Sequence, residues 1–250
     1  MQNKFIWPIS IIYLKKTKST NKFAKKYLNK ILLKFKNWII IQSKHQTDGK
    51  GYSGSWCTEN GKNLTFSLIF KPKKINIYNL YIINIIISNA IHKSLSKILN
   101  YPIWIKWPND IIIDNKKIGG ILIENNFIFD EIYISIIGIG INIKQKKFNI
   151  YWNASSLSNI FNIEFDLDYI INNIIFHIQN EYLLFINNVI NIKRYYIKHL
   201  YLKNKISNFF FLKKKIFFYG IIKSINNKGH VLIEVNGKLK YFYQKEIKLL

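Results

Sequence analysis

The run Gln46-Thr47-Asp48-Gly49-Lys50-Gly51-Tyr52-Ser53-Gly54 sets three glycines close together, with a lysine between the first two. Glycine lets backbone N–H groups approach a phosphate, and lysine neutralises it. A plain surface loop between strands has the same composition. The spacing is not that of a Walker loop, because no Gly-Lys-Ser/Thr closes a four-residue spacer. Lys106-Trp107-Pro108-Asn109-Asp110 places an amide and a carboxylate at a strand end, behind an aromatic and a rigid proline. Pro-Asn-Asp would also serve a turn, but a turn does not account for Lys106 and Trp107 just before it. Lys116-Lys117-Ile118-Gly119-Gly120-Ile121-Leu122-Ile123-Glu124 begins with cations and enters a strand whose glycines admit close backbone approach, with Lys117 facing the cleft. Gly138-Ile139-Gly140-Ile141-Asn142 opens like a dinucleotide fingerprint, yet Ile143 stands where the third glycine belongs, so a Rossmann site is rejected.

These segments need a sheet and helices to position them. Ser19-Thr20-Asn21 precedes a Lys-rich, apolar-periodic run from Phe23 to Leu33, predicting a helix over 20–35 whose first N–H groups a Ser or Thr caps. Trp38–Gln42 is a β-branched run, and Asn63–Phe70 alternates around Leu64, Phe66 and Leu68, both suiting strands. Leu80–Leu99 has the length and spacing of a buried helix that stops before Asn100 and Pro102. Short apolar runs follow at 103–107, 111–113, 118–124 and 132–137, separated by Pro, Asn-Asp, Asp-Asn and Asn-Asn turn signals. Residues 166–202 read as a long helical stretch, with Asp166 and Asp168 serving its start. Strands are then expected at 209–212, 216–225, 230–235 and 238–243, joined by the Asn-rich turn at 226–229 and by Asn236-Gly237. The pattern predicts an α+β fold: a mixed β-sheet backed by helices over 1–204, and a small β-barrel over 205–250.

The chain has 250 residues, enough for one large domain and a small one. Its 38 Lys+Arg against 13 Asp+Glu give a formal charge of +25, which raises nucleic acid as a partner. Lysine is spread along the whole chain together with Ile and Asn, as compositional drift would leave it, and no stacking-aromatic motif recurs. A single cysteine, Cys57, rules out an internal disulfide, and the five histidines are scattered without metal-ligand spacing, so no protein-built metal site is expected. The most apolar stretch, Leu80–Ile91, is broken by Asn84, Ser88 and Asn89 and is too short to span a bilayer. The N-terminus lacks a signal peptide's ordered regions, so the expected place is the cytoplasm, away from membranes.

In order along the chain, Ser19-Thr20-Asn21, the Gln-Thr-x-Gly-Lys-Gly loop, Trp56, Gly61-Lys62-Asn63-Leu64, KWPND, KIGGILIE and GIGIN resemble the bacterial biotin protein ligases. The likeness runs over residues 15–145, and the tail suits that family's SH3-like module beside a class II synthetase-like catalytic domain. It implies an enzyme that activates biotin with ATP and Mg²⁺ as biotinyl-5'-AMP, then transfers it to a lysine of a biotin carboxyl carrier protein or domain. It also implies that Ser19, Thr20, Asn21, Gln46, Lys50, Gly51, Tyr52 and Lys117 hold biotin. Gly49, Lys50, Gly51, Trp56, Asn109 and Asn142 would hold the adenylate, and Lys117 and Asp110 would carry the catalysis. Many relatives have Arg-Gly-Arg where this chain has Lys50-Gly51-Tyr52, and the loop between Gly54 and Trp56 is one residue shorter, which predicts weaker retention of the adenylate. Lipoate ligases are the enzymatic alternative on the same fold; a basic nucleic-acid-binding module is the other. Only a short segment precedes Ser19, too little for a winged helix-turn-helix, so no DNA partner is expected. The resemblance leaves monomer and homodimer open.

Overall fold

The structure, a computed structural model, describes residues 4–31, 38–51, 55–56, 59–188 and 192–250. A seven-stranded sheet is built from β1 (Ser10–Leu14), β2 (Ile39–Ser43), β5 (Asn63–Phe70), β6 (Trp104–Lys106), β7 (Asp110–Ile113), β8 (Lys116–Ile128) and β9 (Glu131–Asn142). Its order is β1-β2-β5-β9-β8-β7-β6. β1 runs parallel to β2, and the other pairs are antiparallel, so the sheet is mixed. A separate two-stranded hairpin pairs β3 (Gly49–Lys50) with β4 (Ser55–Trp56).

Helix α1 (Thr20–Ile31) covers one face, packing Ala24 and Leu28 on Ile39, Ile41, Ile69, Ile134 and Ile136. The other face carries the main core with α2 (Tyr81–Leu99), α4 (Leu167–Ile186) and α5 (Ile192–Lys198). The short α3 (Leu157–Phe161) is capped by Ser156, whose side chain accepts from the Asn159 N–H. Because both faces are covered, all eight residues of β5 are buried, although its alternating sequence reads as a strand with one wet face.

Several boundaries differ from the sequence reading. Helix α1 is described to Ile31, and the rest of the expected span lies outside the described residues. The expected 166–202 helix is two helices, because Asn187 ends α4 and Asn188 takes φ +51°, a conformation no α-helix continues. Asp166 caps α4 as expected, accepting from the N–H groups of Asp168 and Tyr169. Asn125 and Asn126 sit inside β8, and the turn comes later, at Phe129 and Asp130. The five-stranded antiparallel sheet of β10 (Ile206–Phe211), β11 (Ile216–Ile225), β12 (Val231–Val235), β13 (Lys238–Phe242) and β14 (Ile247–Leu249) has order β13-β12-β11-β10-β14. β1 and β14 had no counterpart in the sequence reading. No helix among the described residues is long and apolar enough to cross a membrane.

Candidate active site

β5, β9 and β8 alternate, so every second residue points to the α1 face. On that face Thr65 lies opposite Gly140, Gly140 opposite Gly120, and Gly120 opposite Asp110, one residue from each of four strands. The next row sets Ser67, Gly138 and Leu122 side by side. The glycines leave a trough in the sheet, part of a cleft with about 500 Å³ of free space counting its open mouth. A Cβ on Gly138 would stand 2.6 Å from Asn21 Oδ1, so the side chain that roofs the trough needs this glycine beneath it.

Lys117 would face away from Gly120 in a regular strand, since three positions separate them. The pairing of β7 with β8 steps from Ile111↔Gly119 to Ile112↔Lys117, leaving Ile118 as the extra residue of a bulge. The bulge returns Lys117 to the cleft face. There its Nζ lies 2.6 Å from Asp110 Oδ1, and Gly120 leaves the space beside the pair. The backbone of Lys117 is held on its other side, its N–H donating to the Asn153 carbonyl and its carbonyl accepting from the Ser155 N–H.

At the opposite end the chain segments of Thr17–Lys18 and His45–Asp48 zip together through backbone hydrogen bonds, bringing Ser19-Thr20-Asn21 against Gln46. Ser19 caps α1, its Oγ accepting from the Lys22 N–H at 3.3 Å. Gln46 Oε1 accepts from the Thr20 N–H at 2.9 Å and from Thr20 Oγ1 at 3.3 Å, which fixes the orientation of its amide. Asn21 accepts from Ser67 Oγ and donates to Glu124 and to the Leu122 carbonyl, so it ties α1 to the sheet at the roof of the cleft.

Eight of the residues singled out in the sequence line this one cleft: Ser19, Thr20, Asn21, Gln46, Gly51, Asn109, Asp110 and Lys117. Asn109 is buried and donates to the Ile121 carbonyl, closing β7 onto β8. Asn142 is not among the lining residues. It is buried and donates to the Ser155 carbonyl at 3.0 Å, bracing the segment that holds Lys117. Gly49, the Lys50 backbone and the Trp56 backbone belong to the β3–β4 hairpin. Tyr52 and the side chains of Lys50 and Trp56 lie outside the described residues. Thr65 lines the cleft and was not singled out; its signal was the shared face with Ser67 on a strand whose other face is apolar.

The two residues that a turn left unexplained reach the second sheet. Trp107 Nε1 donates to the Gly229 carbonyl at 2.8 Å, and Lys106 Nζ donates to the Leu249 carbonyl at 3.1 Å. Burial pushes the Lys106 ammonium below its ordinary pKa, partly offset by Asp110. Gly229, at φ +83°, packs on the Tyr81 ring, where a Cβ would come within 2.2 Å of a ring carbon. Tyr81 in turn donates to the Pro108 carbonyl, so this one segment carries cleft residues at one end and the second sheet at the other. Among the described residues no group of three or more His, Cys, Asp and Glu is placed to hold a metal ion.

Residues 13–142 match the biotin/lipoate A/B protein ligase family. The chain is 27% identical over 225 residues to the bifunctional ligase/repressor BirA of Bacillus subtilis, covering 84% of this chain and 66% of that protein. It therefore spans just under two thirds of that relative's length. It is 32% identical over 115 residues to the biotin–protein ligase of Homo sapiens, 44% of this chain and 16% of that one. The biotin protein ligase from Aquifex aeolicus, solved in complex with biotin and ATP, matches with a TM-score of 0.78 at 22% identity, covering 96% of this chain and 98% of that chain. The Leishmania major enzyme in complex with biotinyl-5-AMP matches with a TM-score of 0.66 at 19% identity, covering 95% and 100%. At these identities the structural likeness speaks for the fold.

Proposed function

The chain belongs to the biotin/lipoate A/B protein ligase family, and from that premise we propose that it is an ATP-dependent ligase that joins biotin to a lysine of a biotin carboxyl carrier protein or domain. The observation that carries this reading is the glycine-floored trough with the Lys117–Asp110 pair at one end and the Thr20–Gln46 pair at the other. An acid with a polar ring at one end and a carboxylate at the other fits such a trough lengthwise.

In the first step a biotin carboxylate oxygen bonds to the α-phosphorus of ATP, and the bond from that phosphorus to the departing pyrophosphate breaks. Two anions meet there, so a fixed cation at the meeting point stabilises the charge that develops. Lys117 supplies it, its backbone braced by Asn153 and Ser155 and, behind them, Asn142. Gly49, Lys50 and Gly51 bring backbone N–H groups toward the phosphates, and Trp56 closes over the adenine. Mg²⁺ arriving with ATP would shield the phosphates. Such ions are held largely by phosphate and water with one or two carboxylates, and among the described residues Asp110 is the carboxylate that lines this cleft.

In the second step the acceptor amine bonds to the carbonyl carbon of the mixed anhydride, the carbon–oxygen bond to AMP breaks, and the amine must lose a proton. An amine with a pKa of about 10.4 is mostly protonated near neutrality. Asp110 is the base: while the cleft is empty it pairs with Lys117, and once Lys117 turns to the bound carboxylate, Asp110 is available to the incoming lysine. Residues 1–204 form the catalytic unit in this reading and 205–250 the SH3-like one. The edge strand β1 would offer the contact in a homodimer.

The test incubates the chain with ATP, Mg²⁺, a carrier domain and either biotin or lipoate, and reads the mass of the acceptor. A biotin-sized increase is expected, with Lys117→Ala lowering the rate by about 10³-fold, the scale of losing a transition-state charge partner. A lipoyl increase would overturn the substrate and keep the chemistry. No modification with either acid would overturn the ligase reading.

A further inference from the structure

Thr65 is 3% exposed and lines the cleft, and its Oγ1 has no hydrogen-bond partner among the described residues. An unpaired buried hydroxyl is costly, so a polar atom of a ligand at that spot is the economical explanation. The neighbours say which atom. Thr65 stands at one end of the row Thr65-Gly140-Gly120-Asp110, with two glycines between it and the carboxylate that pairs with Lys117. Three strand spacings put it about 14 Å from Asp110 across a floor without side chains. On the far side of β5 lies β2, whose chain continues to Gln46. An acid whose carboxylate is held at Lys117 therefore presents the ring at its other end to Thr65.

We propose that Thr65 is a specificity-determining residue whose hydroxyl hydrogen-bonds the polar ring of the substrate acid, favouring a ureido ring over an apolar dithiolane of similar size. The inference rests on the ligase reading above. A hydroxyl both donates and accepts, so it can serve either the N–H or the carbonyl of a cyclic urea. A dithiolane offers only weak acceptors, and its binding would leave the hydroxyl unpaired. Ser67, two residues along on the same face, is already committed to Asn21 Oδ1 at 2.6 Å, which leaves Thr65 as the β5 hydroxyl open to substrate.

The test compares the wild-type chain with Thr65→Val and Thr65→Ser in ATP- and Mg²⁺-dependent pyrophosphate release with saturating carrier domain, so that the adenylate is consumed in every turnover. It records kcat, the KM values for biotin and ATP, and the inhibition constant of lipoate. Thr65→Val keeps the shape and removes the hydroxyl, so KM for biotin should rise about fivefold to tenfold, the scale of one hydrogen bond. Both kcat and KM for ATP should stay within about twofold, the inhibition constant of lipoate should stay level or fall because the dithiolane no longer strands a hydroxyl, and Thr65→Ser should restore most of the loss in biotin binding. An unmoved KM for biotin, or a rise shared equally by biotin, ATP and lipoate as a general distortion would give, overturns the assignment of Thr65. A wild-type chain that activates no biotin sinks the ligase reading, and this inference with it.

Discussion

Thr65 and Phe66 are neighbours on β5 and face opposite ways, and the two sides of the sheet they belong to are built to different rules. On the α1 side, beyond the Ile41, Ile69 and Ile136 cluster under the helix, small residues meet glycines, Thr65 against Gly140 and Ser67 against Gly138, and free space remains. On the other side Leu64, Phe66, Leu68 and Phe70 fill the core against α2 and α4. Some polar groups found there pair with one another: the His92 ring meets the Ile103 carbonyl and the Tyr195 hydroxyl, and Lys93 pairs with Glu181. The strand's period of two lets one segment do both jobs, so changes on the two sides should separate stability from substrate binding.

Phe66→Ala should have the largest effect on stability, removing a fully buried ring at a cost of about 3–5 kcal/mol in urea unfolding. KM for biotin in the fraction that remains folded should stay within about twofold, because the residue faces away from the cleft. A KM that rose as steeply as stability fell would break the separation of the two sides.

His92 comes next. Burial, with a smaller contribution from His199, lowers its pKa to about 4, so the folded state keeps it neutral where the unfolded chain, titrating near 6.5, takes up a proton. Its contribution is complete above about pH 6.5 and is lost as the pH falls toward 4, amounting to about 2 kcal/mol between pH 7 and pH 5. Burial lowers the pKa of His177 and His199 as well, so their effect has the same sign. Unfolding midpoints measured across that range should slope downward toward acid, and His92→Asn should flatten the slope. A slope the substitution left unchanged would mean that other groups carry it.

The elements with strong local patterns were legible: the buried α2, the caps at Ser19 and Asp166, and the hairpins of the second sheet all follow from spacing and turn residues. What local pattern could not carry was pairing between distant strands. The trough depends on Thr65, Gly140, Gly120 and Asp110 falling in one row, which comes from register over four strands. Lys117 reaches the cleft face through a single bulged residue that no composition marks. Edge strands of three to five residues, β14 and β1, give too few alternations to stand out. Nothing local explains the Lys106-Trp107 pair, because its partners, Leu249 and Gly229, lie more than a hundred residues away.

That last pair gives the smallest predicted effect and tests whether the two halves of one motif act together. Trp107→Phe keeps most of the apolar bulk, removes the indole N–H and leaves the Gly229 carbonyl unpaired in a buried contact. The loss should be about 1 kcal/mol. It should appear as about fivefold faster hydrogen exchange at the 226–230 turn, because that hydrogen bond fastens the turn to the catalytic sheet. Asn109 and Asp110 are held separately, by the Ile121 carbonyl and by Lys117, so KM for biotin should not move. If biotin binding weakened in step with the turn's exchange, the segment would be transmitting the position of the second sheet into the cleft, and the cleft could not be treated as the property of one side of the sheet alone.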